Sequence, residues 1–208
     1  ILDHDGGDCL IFGQDLKAMS DEARTAYRGK NVGFVFQSYN LIPTLTASEN
    51  VSIPLLLADT PRSEATKRAE EALAKVGLAD KFNSLPGELS GGQQQRVFLA
   101  RALLQEAEIY LMDEPFAALD AQTKLEMQEE LVAIWQKYSS TIIFVTHSVD
   151  EALILGTQVA VMTHRPGKIR ELIQVKLDRP RDVTSVEFNQ LKRHVMDIIR
   201  EEAILAKS

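Results

Sequence analysis

Apolar residues in this chain come either in short unbroken runs or at helical spacing, and over much of its length the two patterns alternate. Cys9-Leu10-Ile11-Phe12, closed by Gly13, predicts a strand and turn, and Val32 to Phe36 predicts a second strand ending at Gln37. A polar stretch from Ser20 to Arg28 between them predicts a helix. Residues 44 to 88 read as a helical insertion. Thr46-Ala47-Ser48-Glu49 has capping-box spacing ahead of Val51 and Ile53. Thr60-Pro61 has the form of an N-cap with proline at the first helical position. The next helix puts Ala65, Ala69, Ala72, Leu73 and Val76 on one face, and Gly77 stops it. Gln93 to Leu104 predicts a further helix.

From Ile109 onward the alternation is regular. Runs at Ile109–Met112, Thr141–Val145, Val159–Met162 and Ile169–Val175 predict strands, with helices over Gln122–Trp135 and Val149–Leu155. Buried strands alternating with helices predict an α/β sheet covered on both faces. The tail from Val186 to Ala203 carries Leu191, Val195, Ile198 and Ile199 on a stripe suited to packing.

Composition narrows the function classes. Net charge is −7 and the pI is near 5.2, which argues against a nucleic-acid-binding surface. The single cysteine, Cys9, forms no internal disulfide, and no Cys/His cluster has metal-ligand spacing. No apolar run reaches the ~18 residues of a membrane span, so a membrane connection has to run through a partner.

Four places carry candidate chemistry. In Leu89-Ser90-Gly91-Gly92-Gln93 the glycines let backbone N–H groups approach an anion, Ser90 adds a hydroxyl, and a helix N-terminus follows. A polar loop capping that helix is the other reading. Asp113-Glu114 ends an apolar strand, where ligands bind in α/β sheets. Asp113 is suited to Mg²⁺ and Glu114 to general-base chemistry, although Asp-Glu-Pro is also a common strand-to-turn sequence. Ala118-Leu119-Asp120 supplies an N-cap for the next helix. His147 lies just beyond another apolar run, a place where a histidine is usually a hydrogen-bonded structural residue.

Leu89-Ser90-Gly91-Gly92-Gln93 with Gln94-Gln95-Arg96 resembles the signature motif of ATP-binding cassette (ABC) transporter ATPases. With it, Gln37 matches the family's Q-loop, Asp113-Glu114 its Walker B motif and catalytic glutamate, Asp120 its D-loop and His147 its switch histidine, all in family order. The resemblance implies a P-loop NTPase-like ABC cassette core, a mostly parallel sheet flanked by helices, with an inserted helical subdomain and a small N-terminal β remnant. It divides the chain into an α/β core over 1–43 and 89–208, a helical subdomain over 44–88 and a C-terminal helix over 183–208. It implies ATP and Mg²⁺ as ligands. Glu114, His147 and Gln37 would be catalytic, Asp113 and Gln37 would hold Mg²⁺, and Ser90, Gly91, Gly92 and Gln93 would bind nucleotide in trans. The implied partners are a second cassette in a head-to-tail dimer and permease subunits docked on the Q-loop groove. An importer would add a substrate-binding protein, and nucleic acid has no part. The implied location is peripheral, on the cytoplasmic side of the cell membrane.

The family's P-loop, Gly-x-x-Gly-x-Gly-Lys-Ser/Thr, does not occur in these residues, and Ile1 is not methionine. The expectation is a chain that begins inside a longer reading frame and that alone hydrolyses ATP weakly or not at all. Two subgroup resemblances disagree. Gly33 to Pro43 is similar to lipoprotein-release and macrolide exporters, whereas Phe116–Asp120 is closer to the importer form and Thr146–Ala152, Arg165–Ile169 and Leu177–Asp182 are similar to nitrate, sulfonate and taurine importers. Three separated segments favour import.

Overall fold

The computed structural model describes residues 10–35, 41–104, 107–117, 119–138 and 140–205. Gln37, together with Phe36 and residues 38–40, lies outside the described residues, as do Cys9 and Ala118. The chain forms two compact units, one of residues 1–112 and 139–143, the other of residues 113–138 and 144–208.

The first unit opens with a hairpin of β1 (Leu10–Ile11) and β2 (Gln14–Asp15). Phe12 and Gly13 both have positive φ, as a tight two-residue hairpin requires, so the expected single strand and turn continues into a second strand. A 3-10 turn over Leu16–Ala18 leads to α1 (Asp21–Asn31). Ser20 caps α1 by accepting from the Ala23 N–H, with Asp21 and Glu22 in the first turn and Arg28 and Lys30 in the last, as the helix dipole favours. Strand β3 (Val32–Val35) follows directly and pairs in parallel with β4 (Ile109–Asp113). Gly33 faces Tyr110 in that register, and a Cβ at Gly33 would lie 2.6 Å from Tyr110 Cδ1, so the tyrosine ring occupies the space a side chain would need. The sheet order is β3-β4-β5, with β5 at Thr141–Val145.

Three helices, α2 (Ala47–Leu57), α3 (Arg62–Lys75) and α4 (Gly91–Leu104), enclose the first core. Ala47, Val51 and Leu55 meet Ala65, Ala69 and Leu73, with Val97, Ala100 and Leu104 from α4. The Thr46–Glu49 capping box forms: Glu49 N–H donates to Thr46 Oγ1 at 3.2 Å and Thr46 N–H to Glu49 Oε2 at 2.9 Å. These bonds to Thr46 hold the Glu49 carboxyl below the usual carboxylate range. The start of α3 differs from expectation. Pro61 is the N-cap rather than the first helical residue, because the Thr60 N–H bonds the Leu55 carbonyl and so belongs to the end of α2. Helix α3 closes on Gly77 at φ 71°, with Leu78 N–H bonding Leu73 O and Gly77 N–H bonding Ala74 O, a Schellman motif.

In the second unit α5 (Ala121–Tyr138), α6 (Val149–Leu155) and α7 (Val186–Leu205) accompany the antiparallel pair β6 (Gln158–Met162) and β7 (Ile169–Gln174). The six residues between β6 and β7 are too few for a parallel crossover. Leu153, Val159, Val161, Ile173, Phe188, Val195 and Ile198 form its core, whereas Ile199, expected on the packing stripe, is exposed. Arg181 fastens this unit. Its Nη1 donates to the carbonyls of Leu153, Ile154 and Gly156 at 2.6, 3.0 and 2.7 Å, and Arg179 donates to that of Leu155. Four successive carbonyls at the end of α6 are thereby satisfied by side chains. Burial, and then the neighbouring Arg179 cation, pull the Arg181 guanidinium down to about 10.

Candidate functional site

Strand β4 ends in the exposed Asp113, and the next residue, Glu114, turns the chain through a left-handed backbone at φ 44°. A non-glycine residue held there carries on the order of 1 kcal/mol of strain or more, of the kind found at active sites. The Glu114 N–H donates to the Val145 carbonyl at 2.9 Å, which ties the turn to the end of β5. Buried Phe116 anchors the turn from below against Phe144, with ring centroids 5.5 Å apart. Two residues past Val145, His147 brings Nδ1 to 2.9 Å from Glu114 Oε1. The His147 side chain is 75% exposed, so its ring is open to a ligand. Nδ1 engaged on a carboxylate is Nδ1–H, which fixes the ring orientation and presents Nε2 outward.

Asp120 closes the same turn segment and caps α5, accepting from the Thr123 N–H at 3.0 Å. Hydrogen bonds from the Thr123 side chain and backbone hold its carboxyl below the usual range. Beyond β5, the His147 loop is pinned on both flanks. Ser148 N–H donates to Thr146 Oγ1 at 3.0 Å, and Thr146 Oγ1 donates to Glu151 Oε2 at 2.6 Å. Glu151 Oε1 pairs with Lys124 Nζ of α5 at 2.9 Å.

The glycine-rich stretch belongs to the first unit. Helix α4 starts at Gly91, two residues before the expected Gln93, because Ser90 and Gln93 make a reciprocal cap. Gln93 N–H donates to Ser90 Oγ at 3.3 Å and Ser90 N–H donates to Gln93 Oε1 at 2.9 Å. Gln94 Nε2 holds the preceding turn through the carbonyls of Pro86 and Leu89. The N–H groups of Gly91 and Gly92 begin the helix, where no intrahelical acceptor exists for them. The capping reading of Ser90 is therefore realised, and it leaves two glycine amides at a positive helix end.

Of the residues singled out in the second unit, Glu114 and His147 are in contact, while Asp113 and Asp120 flank the Glu114 turn along the chain and Asp120 is engaged with Thr123. Sequence reasoning missed Thr146, Glu151 and Lys124. It also missed buried Asn50, whose side chain accepts from Ile42 N–H and donates to the carbonyls of Ile42, Leu45 and Thr46, fixing the loop before α2. Among the described residues no cluster of three or more His, Cys, Asp or Glu side chains forms a metal site, and no helix is long and apolar enough to cross a membrane.

The sequence profile of the family described as "ABC transporter" matches residues 1–117. An uncharacterized ABC transporter ATP-binding protein of Methanocaldococcus jannaschii, MJ0412, is 45% identical over 195 residues, covering 94% of this chain and 73% of that protein. The bicarbonate transport ATP-binding protein CmpD of Synechocystis is 43% identical over 79% of this chain and 61% of its own length. The aliphatic sulfonates import ATP-binding protein SsuB of Bacillus thuringiensis is 39% identical over 90% of this chain and 74% of its own length. Among solved structures, the ATP-binding cassette MJ0796, in a dimeric post-hydrolysis state bound to ADP and Pi, superposes with a TM-score of 0.75 at 34% identity. That match covers 83% of this chain and 75% of the other.

Proposed function

Because this chain belongs to the ABC transporter family of ATP-binding subunits, we propose that it drives import of a small solute of the nitrate, sulfonate or taurine kind. It would do so as a peripheral subunit on the cytoplasmic side of the membrane, with a second cassette, permease subunits docked on the Q-loop groove and a substrate-binding protein. The observation that carries the chemistry is the 2.9 Å contact between Glu114 and His147 at the strand ends. Support for import comes from the relatives named for sulfonate import and bicarbonate transport.

In this reading Glu114 takes the proton of the attacking water, a contribution of typically ~10²–10⁴ to the rate. His147 holds that carboxylate through Nδ1 and turns its exposed Nε2 edge toward the terminal phosphate. The exposed carboxylate of Asp113 fits Mg²⁺, which takes one or two carboxylates with phosphate oxygens and waters; Gln37 is the second proposed ligand, and the ion would offset phosphate charge. Ser90, Gly91, Gly92 and Gln93 bind nucleotide held by the other cassette, through the amides at the start of α4. The function is tested in the assembled transporter. Glu114→Gln retains ATP-dependent closure of the cassette pair and lowers turnover by about 100-fold or more. Turnover near the wild-type rate in that variant removes Glu114 as the base.

A further inference from the structure

We propose that Glu151 is a positioning residue that couples the start of α5 to the loop carrying His147. Glu151 is a carboxylate only 5% exposed, and a buried charge is costly unless it is paired and hydrogen-bonded. Both of its oxygens are engaged, and in different directions. Oε1 meets Lys124 Nζ at 2.9 Å, and Oε2 accepts from Thr146 Oγ1 at 2.6 Å. Thr146 Oγ1 in turn accepts from the Ser148 N–H at 3.0 Å. The residues on either side of His147 are therefore held by one hydroxyl, and that hydroxyl is aimed by Glu151.

The arrangement departs from ordinary capping. Ser148 and Glu151 have capping-box spacing, and Ser148 Oγ does accept from the Glu151 N–H at 3.3 Å. The reciprocal bond does not form, because the Ser148 N–H is given to Thr146 and the Glu151 carboxylate reaches away to Lys124. At its other end Lys124 sits in the first turn of α5, its N–H bonded to the Asp120 carbonyl at 2.9 Å. A continuous chain of polar contacts thus runs from Asp120 through Lys124, Glu151 and Thr146 to the backbone around His147. A displacement of the Asp120 turn is carried along it to the ring that faces Glu114. The consequence for ATP turnover rests on the function proposed above; the positioning itself does not.

The test reads the His147 ring nitrogens by long-range proton–nitrogen NMR in the nucleotide-free protein. The wild type shows the Nδ1–H form held by Glu114. Glu151→Ala and Thr146→Val lose it and move to the Nε2–H tautomer that a solvent-exposed histidine prefers. Thr146→Ser restores the hydroxyl and the wild-type signal. An unchanged His147 signal in folded Glu151→Ala overturns the proposal. If Glu151→Ala does not fold, the Thr146 pair decides, and a wild-type signal in Thr146→Val overturns it equally. Because no nucleotide is present, these outcomes are separate from the turnover test of Glu114.

Discussion

Glu114 and His147 are linked twice: by the 2.9 Å contact of their side chains, and by the bond from the Glu114 N–H to the carbonyl of Val145, two residues before the histidine. The backbone bond sets the turn, and the positive φ of Glu114 sends its carboxylate toward the ring.

That conformation separates stability from chemistry. Asparagine tolerates the left-handed region, whereas a β-branched residue does not. Glu114→Asn therefore unfolds at a denaturant concentration equal to or above that of the wild type. Glu114→Val is less stable than Glu114→Asn by about 2 kcal/mol. Equal stability of the two variants in chemical denaturation refutes the claim that this turn demands a positive φ.

Ser90 has a capping duty and a proposed ligand duty, and one substitution divides them. Aspartate is as good an N-cap as serine, so Ser90→Asp keeps thermal stability to within about 0.5 kcal/mol. Its negative charge occupies the position proposed for a phosphate, so ATP-dependent pairing with a second cassette is lost. Pairing that persists in Ser90→Asp removes Ser90 from the nucleotide site.

Asp120 predicts a pH dependence of defined sign. Its bonds to Thr123 place its folded pKa below the unfolded value, so it adds stability above the ordinary aspartate pKa, about 3.9. That increment is lost as pH falls through the lower, folded value. Asp120→Asn keeps a capping acceptor without the titration. Denaturation midpoints of the two proteins differ at pH 6 and converge in strong acid; a gap independent of pH contradicts this assignment.

Arg181 is the most heavily bonded side chain at the end of α6. Lysine keeps one nitrogen for the α6 carbonyls but loses the Nε and Nη2 donors that reach the carbonyls of Leu177 and Val175 at 3.3 and 3.4 Å, and at about 1 kcal/mol per bond Arg181→Lys lowers stability by about 2 kcal/mol. The loss is read by denaturation, together with faster amide exchange in α6. A change below 0.5 kcal/mol shows that the carbonyls find other donors (a surface-like value).

What the sequence made legible was whatever depends on neighbours within four or five positions. The Thr46–Glu49 box, the polar helix after Ser20, the Gly77 stop and the runs at 141–145 and 149–155 all form where local pattern places them. The misses come from competition or distance. Thr60 was taken by the end of α2 rather than by α3, and Ser90 drew α4 two residues upstream by pairing with Gln93. Asn50 reaches back eight positions and Glu151 forward from Lys124 across 27, and side chains so placed leave no periodic trace. Glu114 and His147, 33 positions apart, were each visible as a strand-end residue, yet their contact required the fold.

The left-handed turn at residue 114 also bears on what can replace its glutamate. Glutamate stands there against a conformational preference that favours asparagine or glycine. Asparagine there relieves the backbone, so a screen that reads only folding scores that replacement as neutral or better. Such a screen is blind to the role proposed for the Glu114 carboxylate.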